Sequence, residues 1–426
     1  MSRGLGDVYK RQGHRPSGAK VGPDFIDPGY HALASGRPPR NLDAWLCGAE
    51  AIPALAGRAA AGADVLVVEG VMGLFDGSAD GTLSSTADVA RLLDAPVVLV
   101  VDAGAMSGSV AALVHGFATL DRTVRLGGVV LNQVASPAHE VQLREALAPL
   151  GHPVLGALRR DDRLTWRDRH LGLVPVAERP AVVTAALDRL AAAVAEQLDL
   201  EAVLSLAATA PARPVGPVPL PSPEPGTRKV RIAVAAGAAF TFTYTDTVEA
   251  LEAAGAEVVP FDPLRDSALP EAVEGLLAGG GFPEVYAADL AANRPMLDDV
   301  RRRVGAGLST WAECGGLLWL CRSLDGQAMA GAVPADAEMT GRLTLGYRTA
   351  TTTVVSPIGP RGLALRGHEF HYSTVTPTGD ALRFRSRFGE RPDGFATPTR
   401  LATYLHHHPG GDPSAIANFV AACRRP

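Results

Sequence analysis

Apolar residues in the first half of the chain form short continuous runs separated by stretches of helical spacing. The runs are rich in valine and leucine and occupy residues 65–68, 96–101, 127–131 and 154–158. Apolar positions at helical spacing lie between them, at residues 87–93, 109–120 and 140–150. Strands that are apolar on both faces and alternate with helices are typical of a parallel sheet covered by helices. The first half therefore predicts an α/β domain.

The second half begins with a similar alternation and ends in a long β-rich stretch. Strand patterns at residues 230–235 and 257–261 flank a helix pattern at 248–254. A further helix pattern follows at residues 297–304, and residues 342–404 are rich in strand-forming residues. This order predicts a second α/β domain whose later part is mainly β-sheet.

Proline marks the boundary between the two halves. Residues 207–227 contain seven prolines, at positions Pro211, Pro214, Pro217, Pro219, Pro221, Pro223 and Pro225. Such a segment cannot join a packed sheet or helix and adopts a stiff, extended form. We therefore predict two domains, at residues 13–200 and 229–426, joined by a linker at residues 201–228.

A chain of 426 residues is long enough for two domains that each bury a core. Its formal net charge of -5 gives no basic surface for nucleic acid or for an anionic membrane. The expected partner is therefore a small molecule. The N-terminus has no apolar signal segment, and the longest apolar runs are far below the roughly 18 residues that span a bilayer. We expect a cytoplasmic enzyme, and the sequence leaves a homodimer open.

One of the four cysteines lies at a point where chemistry is expected. Residues 309–313 predict a short strand, Cys314 follows at a turn supported by two glycines, and an apolar helix begins next. Helix N–H groups near the sulfur favour the thiolate, and we predict that they lower the thiol pKa by about one unit or more. The alternative is a buried core cysteine, which is the common role of a free thiol. The other cysteines show no zinc or disulfide spacing and are expected to be structural.

Two other segments offer the groups that a nucleophilic cysteine needs. The triple-glycine turn that ends at Gly281 can supply one backbone N–H to an oxyanion, and Gly315 can supply the other. A terminal strand ends in His406, whose imidazole can take the thiol proton. His406, His407 and His408 are consecutive, so a metal-binding tract is the alternative for this run.

Several motifs in both halves resemble the cobyrinic acid a,c-diamide synthase family of class I glutamine amidotransferases. In the second half the resemblance is carried by residues 279–284 (GGGFPE), 312–316 (AECGG), 343–348 (LTLGYR), 367–373 (GHEFHYS) and 404–406 (YLH). In the first half it is carried by residues 21–31 (VGPDFIDPGYH), 41–43 (NLD) and 68–77 (VEGVMGLFDG).

The resemblance implies a fold and a reaction for each half. The first half is expected to be a P-loop-type, dethiobiotin synthetase-like amidoligase that uses ATP and Mg²⁺. The second is expected to be a class I glutaminase that supplies ammonia from L-glutamine. Together they would amidate the a and c carboxylates of cobyrinic or hydrogenobyrinic acid in cobalamin biosynthesis. The family's Tyr-Leu-His register selects His406 as the base, with His408 as the runner-up. No carboxylate stands two residues after His406, so the group that orients its imidazole remains unassigned.

Five residues of the first half are candidates for the nucleotide, substrate or metal site. Glu69 ends a predicted strand, where α/β sheets bind ligands, and the resemblance makes it a Mg²⁺ ligand; a solvated strand-end acid is the alternative. The resemblance also places Asp24 and Asp27 beside the metal or substrate, although either could simply form a turn. Lys20 could offset phosphate charge or lie on the surface. Asn132 could contact a nucleobase or cap a strand.

One expected element of the first half is missing from the sequence. The phosphate-binding motif GxxxxGK[ST] does not occur in these 426 residues. Residues 1–12 do not resemble the family's first strand, and we interpret them as a non-native leader on a truncated reading frame. A lineage that lost the loop is the alternative. Either interpretation predicts poor ATP binding by this polypeptide.

Two other functions and one polar cluster remain open. Cobyric acid synthase amidates other carboxylates of the same macrocycle, but the motifs at 21–31 and 68–77 favour the diamide enzyme. A non-catalytic corrinoid- or nucleotide-binding regulator would explain the missing loop, although Cys314 and His406 argue against it. A second polar cluster, made of His368, Glu369 and His371, predicts either a hydrogen-bonded strand or a contact on the ammonia route.

Overall fold

The computed structural model describes residues 2–78, 81–164, 168–169, 172–173, 175–176, 180–212, 219–223 and 226–425. The chain divides into two compact units, unit 1 up to residue 217 and unit 2 from residue 218. The predicted α/β class with parallel sheets is confirmed for both halves. None of the helices in the described ranges combines the length and the apolar character needed to cross a bilayer.

Unit 1 alternates strands and helices along most of its length. Its helices are α1 (Ser2–Arg11), α2 (Asp27–Ser35), α3 (Ala44–Cys47), α4 (Ile52–Ala60), α5 (Thr86–Leu93), α6 (Ser109–Leu120), α7 (Pro137–Leu147), α8 (Pro180–Gln197) and α9 (Leu200–Ala207). Its strands are β1 (Pro16–Val21), β2 (Arg40–Leu42), β3 (Val65–Glu69), β4 (Val97–Asp102), β5 (Leu126–Val134), β6 (Val154–Arg159), β7 (Asp168–Arg169) and β8 (Gly172–Leu173).

Most strands of unit 1 belong to two parallel sheets, in the orders β2-β1-β3 and β4-β5-β6. Within the described residues, β3 and β4 each pair on one side only. All of β3 is half-buried, and Val100 of β4 is 42% exposed. Apolar strands inside a parallel sheet are normally buried on both faces. Each sheet of unit 1 therefore ends in a valine-rich strand that its own sheet only partly covers.

Helices α1 and α9 occupy segments that the sequence assigned to a leader and a linker. Helix α1 buries Leu5, Val8 and Tyr9 in the same apolar cluster as α8. Helix α9 includes residues 201–207, the start of the predicted linker, and adds Leu200 to that cluster. Residues 213–218 and 224–225 of the proline-rich segment lie outside the described residues. The domain boundaries and the non-native origin of residues 1–12 stay predictions.

The described residues of unit 2 form two sheets. Its helices are α10 (Thr245–Ala253), α11 (Ala287–Ala292), α12 (Arg294–Gly305), α13 (Gly315–Leu320) and α14 (Ser414–Cys423). Its strands are β9 (Val230–Ala235), β10 (Ala256–Phe261), β11 (Gly275–Ala278), β12 (Ser309–Glu313), β13 (Ser323–Leu324), β14 (Gln327–Ala328), β15 (Asp336–Thr352), β16 (Ala364–Thr376), β17 (Leu382–Ser386), β18 (Gly389–Asp393), β19 (Phe395–Thr397), β20 (Arg400–Thr403) and β21 (His406–His407).

The larger core of unit 2 surrounds a six-stranded sheet in the order β10-β9-β11-β12-β20-β19, which is parallel except for β19. Alternation along β11 sends Leu276 and Ala278 to one face and Leu277 to the other. The first face packs against α11, α12 and α13, and the second against α10 and α14. Because both faces are covered, the carboxyl ends of β11, β12 and β20 are held in fixed positions.

The second sheet of unit 2 is mainly antiparallel and contains the remaining motifs. Its long hairpin aligns Gly346 of β15 with Glu369 of β16, and Tyr347 with His368. The motifs at 343–348 and 367–373 therefore lie side by side. Strand β21 pairs with β16 at His368 and His406, so this sheet adjoins the terminal histidine run.

Candidate active site

Cys314 lies at a sharp corner between strand β12 and helix α13. Its φ angle is +46°, a conformation that a side-chain-bearing residue rarely adopts. The Cys314 amide donates to the Thr403 carbonyl at 2.8 Å, and its own carbonyl accepts from Leu318 at 3.1 Å. The corner is therefore fixed to the neighbouring strand β20 and to the new helix. Strained positions of this kind that the surrounding structure holds are typical of functional sites.

The predicted oxyanion residues meet beside this corner. A Cβ built on Gly315 would lie 3.0 Å from the Gly281 nitrogen. A Cβ on Gly281 would lie 2.1 Å from the Ala239 carbonyl oxygen. Only glycine allows this close approach of the two loops. The two backbone segments proposed to bind an oxyanion are thus adjacent, and their assignment remains a proposal.

Gly316 provides a direct test of this packing, because a Cβ there would lie 2.1 Å from the Ala278 carbonyl oxygen. We expect Gly316→Ala to displace the start of α13 and to slow glutamine hydrolysis by roughly 10²-fold, since small displacements of a reacting group have effects of that size. Glutamate release and thermal unfolding would be measured together.

The matched control for this substitution is Gly305→Ala at the end of α12, where a Cβ meets nothing within 4 Å. This change should leave both hydrolysis and stability nearly unaltered, since alanine is the better helix former. Full activity in Gly316→Ala would show that the close contact at the corner does not matter.

His406 lies in β21 and is 1% exposed. Its ring stacks on His368 with centroids 4.9 Å apart, and a Cβ on Gly280 would lie 2.5 Å from its Cε1 atom. The loop that approaches Gly315 therefore also contacts the imidazole. Cys314 is hydrogen-bonded to Thr403, three residues before His406. The structure thus brings the predicted nucleophile, oxyanion loop and base into one region.

The other two histidines of the run face different surroundings. His407 packs near Trp311, with ring centroids 5.9 Å apart. The ring centroids of His408 and Tyr244 are 4.4 Å apart, and His408 Nε2 lies 3.8 Å from the Asp246 carboxylate. Within the described residues no group of three or more His, Cys, Asp or Glu side chains forms a metal site. The geometry supports His406 rather than His408 as the residue beside the oxyanion loop.

Glu313, which sequence reasoning did not single out, is close to His406. Its Oε2 lies 3.9 Å from His406 Nδ1, and its Oε1 accepts from the His407 amide at 3.2 Å. Burial raises the pKa of Glu313 to about 8, opposed only in part by the His407 N–H. An acid at the end of a short predicted strand, immediately before the cysteine, was the available signal.

The predicted lowering of the Cys314 pKa is wrong for this structure. Burial raises the thiol pKa, and nearby Glu284 raises it further, while the Gly315 N–H opposes them. Helix α13 has only six residues, so its end contributes little compared with desolvation. Burial also lowers the pKa of His406 to about 3. The resting site therefore holds a neutral thiol and a neutral imidazole.

The second polar cluster is built around Glu369, whose side chain is fully buried. Glu369 accepts from Arg348 at 2.5 Å and from Arg391, and lies 3.5 Å from His371 Nε2. Burial opposes its charge, but His371, Arg391 and Arg348 outweigh it and lower the Glu369 pKa to about 2. Glu369 and His371 thus belong to a hydrogen-bonded network, whereas His368 stacks on His406. A contact of this cluster on the ammonia route stays a prediction.

A cavity of about 390 Å³ lies next to this network. Its walls include Leu317 of α13, one turn after Cys314, and Tyr404, two residues before His406. Arg348 and Arg391 also line it. The cavity therefore presents Arg348 and Arg391, both bonded to Glu369, together with the acids Glu390 and Asp393, close to the elements that hold the nucleophile and the base.

In unit 1 the structure places three of the predicted acids around the ammonium group of a fourth predicted residue, Lys20. Lys20 Nζ lies 2.7 Å from Asp27, 3.5 Å from Glu69 and 3.9 Å from Asp24. Lys20 is 4% exposed, so the surface alternative is wrong for this residue. Burial opposes its charge, but Glu69, Asp27 and Asp24 raise the pKa of Lys20 overall. The pairing follows from the β1–β3 register, which places Lys20 opposite Glu69.

The acids of this cluster also have other contacts. One oxygen of Asp24 accepts from the amides of Ile26 and Asp27, so Asp24 does form a turn as well as facing Lys20. Burial, and then the charge of Asp27, raise the Asp24 pKa despite Lys20. Glu69 accepts at 2.7 Å from His31, a residue of the 21–31 motif that was not singled out, and also from Ser2 of α1.

Asn132 belongs to a different sheet from the one that holds Lys20 and Glu69. It lies in β5, opposite Asp102 of β4, in the sheet that does not contain Lys20 or Glu69. Its backbone carbonyl accepts from Ala103 at 2.9 Å. Its contact with a nucleobase stays a prediction.

The remaining cysteines are buried, as predicted. Cys47, Cys321 and Cys423 are not disulfide-bonded, and their exposed fractions are 3%, 0% and 3%. Cys321 does not continue the helix of Cys314, because α13 ends at Leu320 and Cys321 is extended. It belongs to the core on one face of the six-stranded sheet.

Comparison with known proteins agrees with these two units. Residues 231–413 match a CobB/CobQ-like glutamine amidotransferase domain, and residues 48–168 match an AAA domain. The hydrogenobyrinate a,c-diamide synthase of Streptomyces coelicolor is 48% identical over 100% of this chain and 94% of that protein. That of Thermobifida fusca is 45% identical over 99% of this chain and 93% of its own length. The cobyrinate a,c-diamide synthase of Syntrophotalea carbinolica is 42% identical over 100% and 95%.

Proposed function

Because this chain belongs to the family of hydrogenobyrinate and cobyrinate a,c-diamide synthases, we propose that it amidates the a and c carboxylates of hydrogenobyrinic acid in the cytoplasm. The ammonia comes from glutamine at Cys314, and ATP activates each carboxylate. The single observation that supports this best is the corner at Cys314, with the Gly281 loop between it and His406. The cobalt-containing acid is the alternative corrin, and the higher identity to hydrogenobyrinate enzymes favours the first.

The proposed glutaminase reaction uses only residues of unit 2. The Cys314 sulfur attacks the side-chain amide carbon of glutamine, and the thiol proton passes to His406. The amides of Gly281 and Gly315 bind the oxyanion that forms. The carbon–nitrogen bond then breaks, His406 returns the proton to the leaving nitrogen, and ammonia departs. Water attacks the thioester, its proton passes through His406 to the sulfur, and glutamate is released.

The cavity of about 390 Å³ supports glutamine as the substrate. Leu317 and Tyr404 connect its walls to the elements that hold Cys314 and His406. We propose that the amino-acid end of glutamine lies in this cavity, where Arg348 and Arg391 can balance its carboxylate. A corrin macrocycle is far larger than glutamine, so this cavity is assigned to the smaller substrate.

The proposed ligase reaction belongs to unit 1. A corrin carboxylate oxygen attacks the γ-phosphorus of ATP, and ADP leaves. Ammonia then attacks the acyl phosphate carbon, and phosphate leaves as the amide forms. The cluster of Lys20, Asp24, Asp27 and Glu69 is the proposed site of this half-reaction, and because its acids outnumber its one ammonium group, a bound Mg²⁺ would be needed to hold the anionic reactants there.

Magnesium is the metal that this reaction requires, and the donor chemistry of Glu69 fits it. Carboxylate oxygen suits Mg²⁺, which commonly takes one or two protein carboxylates together with substrate phosphates. Lys20 and His31 already contact Glu69, so we propose that Glu69 provides a single oxygen. When bound, the ion would neutralise charge on the transferred phosphate.

The proposal is tested by supplying purified protein with glutamine, ATP, Mg²⁺ and either corrin. Mass spectrometry would follow the diamide, and an enzymatic assay would follow glutamate. Glutamate release and accumulation of the hydrogenobyrinate diamide are expected. Amidation at other side chains would favour the cobyric acid synthase alternative. The absence of Cys314-dependent glutamate release would favour a binding protein.

Glu69→Gln should separate the two half-reactions. We expect diamide formation to fall by roughly 10²-fold, since a proposed Mg²⁺ ligand is lost. Glutamine hydrolysis without ATP should be unchanged. Asp64→Asn is the matched control, because Asp64 precedes the other end of β3 and makes an exposed pair with Arg15 at 2.7 Å. Equal diamide formation by both variants would exclude Glu69 from the ligase site.

A further inference from the structure

Glu313 and His406 form a buried contact that the proposed glutaminase reaction does not yet use. Their facing atoms, Oε2 and Nδ1, are 3.9 Å apart, and the side chains are 12% and 1% exposed. The other oxygen of Glu313 accepts the His407 N–H at 3.2 Å. This second bond fixes the carboxyl group with its free oxygen toward the imidazole.

We propose that Glu313 is the positioning residue of this active site, and that its carboxylate holds His406 with the proton on Nδ1. The inference rests on the proposed glutaminase function. With Nδ1 protonated, Nε2 carries a lone pair and can take the thiol proton of Cys314. No acid stands two residues after His406 to orient its imidazole. Glu313, the residue before the nucleophile, takes that role instead.

Strand pairing explains why a residue next to the cysteine reaches the histidine. Glu313 of β12 lies opposite Thr403 of β20 in the parallel sheet. The chain then continues from Thr403 into His406 and His407, past the end of β12. The 3.9 Å separation is longer than a hydrogen bond, but catalytic hydrogen bonds are often long before substrate binds.

The charge state of Glu313 should make the rate of glutamine hydrolysis depend on pH. A protonated acid would donate to Nδ1 and leave the proton of the imidazole on Nε2, which cannot then accept from the thiol. Burial raises the pKa of Glu313 to about 8, so the ionised form increases as pH rises from 7 to 9. The titratable and charged groups around the pair include His368, His371, His407, His408, Glu369, Glu284 and Cys314.

Glu313→Gln is the sharpest test, because glutamine keeps the size of the side chain. Its oxygen can still accept the His407 N–H, but its NH₂ group then faces Nδ1 and stabilises the wrong tautomer. We expect kcat for glutamine hydrolysis to fall about 10²- to 10³-fold, with KM changed less than about threefold. The rise in rate between pH 7 and 9 should also disappear.

Glu313→Ala provides the comparison for a structural role. If Glu313 only anchors the His407 backbone, the glutamine variant should keep nearly full activity and the alanine variant should be impaired. If Glu313 orients His406, both should be impaired to a similar degree. Near-normal activity and an unchanged pH profile in Glu313→Gln would overturn the inference.

Two measurements keep this test independent of the proposed function. Thermal unfolding of each variant shows whether the protein remains folded. Wild-type protein and Cys314→Ser are assayed in parallel for glutamate release. A wild-type protein without Cys314-dependent release would reject the glutaminase function itself. An active wild-type protein with a fully active Glu313→Gln variant would reject only the role of Glu313.

Discussion

Replacing Cys314 with serine is expected to reduce glutamate release from glutamine by about 10⁴-fold or more. The hydroxyl is a much weaker nucleophile than the thiol, and loss of a nucleophile removes the covalent route. The effect should be on kcat, because the cavity walls at Leu317 and Tyr404 are unchanged. Initial rates of glutamate formation at saturating glutamine would measure it.

Cys321→Ala is the matched control for this substitution. Cys321 is 0% exposed and follows the end of α13, but it belongs to the core. Its loss should lower stability modestly and leave the catalytic rate nearly intact. If Cys314→Ser kept a tenth of the activity, or if Cys321→Ala removed it, the thiol at the corner would not be the nucleophile.

The second large effect is expected on stability, from Glu369→Gln. Glu369 is fully buried and its pKa is lowered to about 2 from 4.5 by His371, Arg391 and Arg348. Each pKa unit corresponds to about 1.4 kcal/mol, so the ionised form contributes about 3 kcal/mol. Its removal should lower the melting temperature of unit 2 by roughly 10 °C at pH 7. Calorimetry would measure this.

The sign of the pH dependence follows from the lowered pKa of Glu369. Its stabilisation is complete above the unfolded pKa of 4.5 and is lost as pH falls toward about 2. Wild type and Glu369→Gln should therefore converge in stability between those two pH values. Glu390→Gln, which changes only an exposed pair with Arg383 at 3.9 Å, is the control and should differ little from wild type. Parallel curves for all three proteins would contradict the interpretation.

Local patterns predicted the glutaminase corner well. A strand, a cysteine, two glycines and an apolar helix are all encoded within residues 309–320, and the structure forms them there. The glycine loop at 279–281 is equally local. The pKa of Cys314 could not be predicted in the same way, because burial depends on the whole fold and outweighs the short helix.

Contacts between distant strands were harder to predict. Glu313 reaches His406 only because β12 pairs with β20, and no local pattern shows that pairing. In unit 1, the β1–β3 register unites Lys20 with Glu69, whereas Asn132 belongs to a different sheet. The acids near Lys20 were recognised by resemblance, since a single aspartate gives no sign of a partner beyond its own turn.

Strands β3 and β4 of unit 1, each paired on one side only among the described residues, should affect which part of the protein opens first under denaturing conditions. Strands β3 and β4 have fewer neighbours to hold their amides than the central strands of the six-stranded sheet in unit 2. Backbone groups with little burial open at low free-energy cost. The backbone amides of β3, including that of Glu69, should therefore exchange hydrogen faster than those of the strands beside Cys314. Heat or urea should accordingly impair the nucleotide-dependent half-reaction while glutamine is still being hydrolysed.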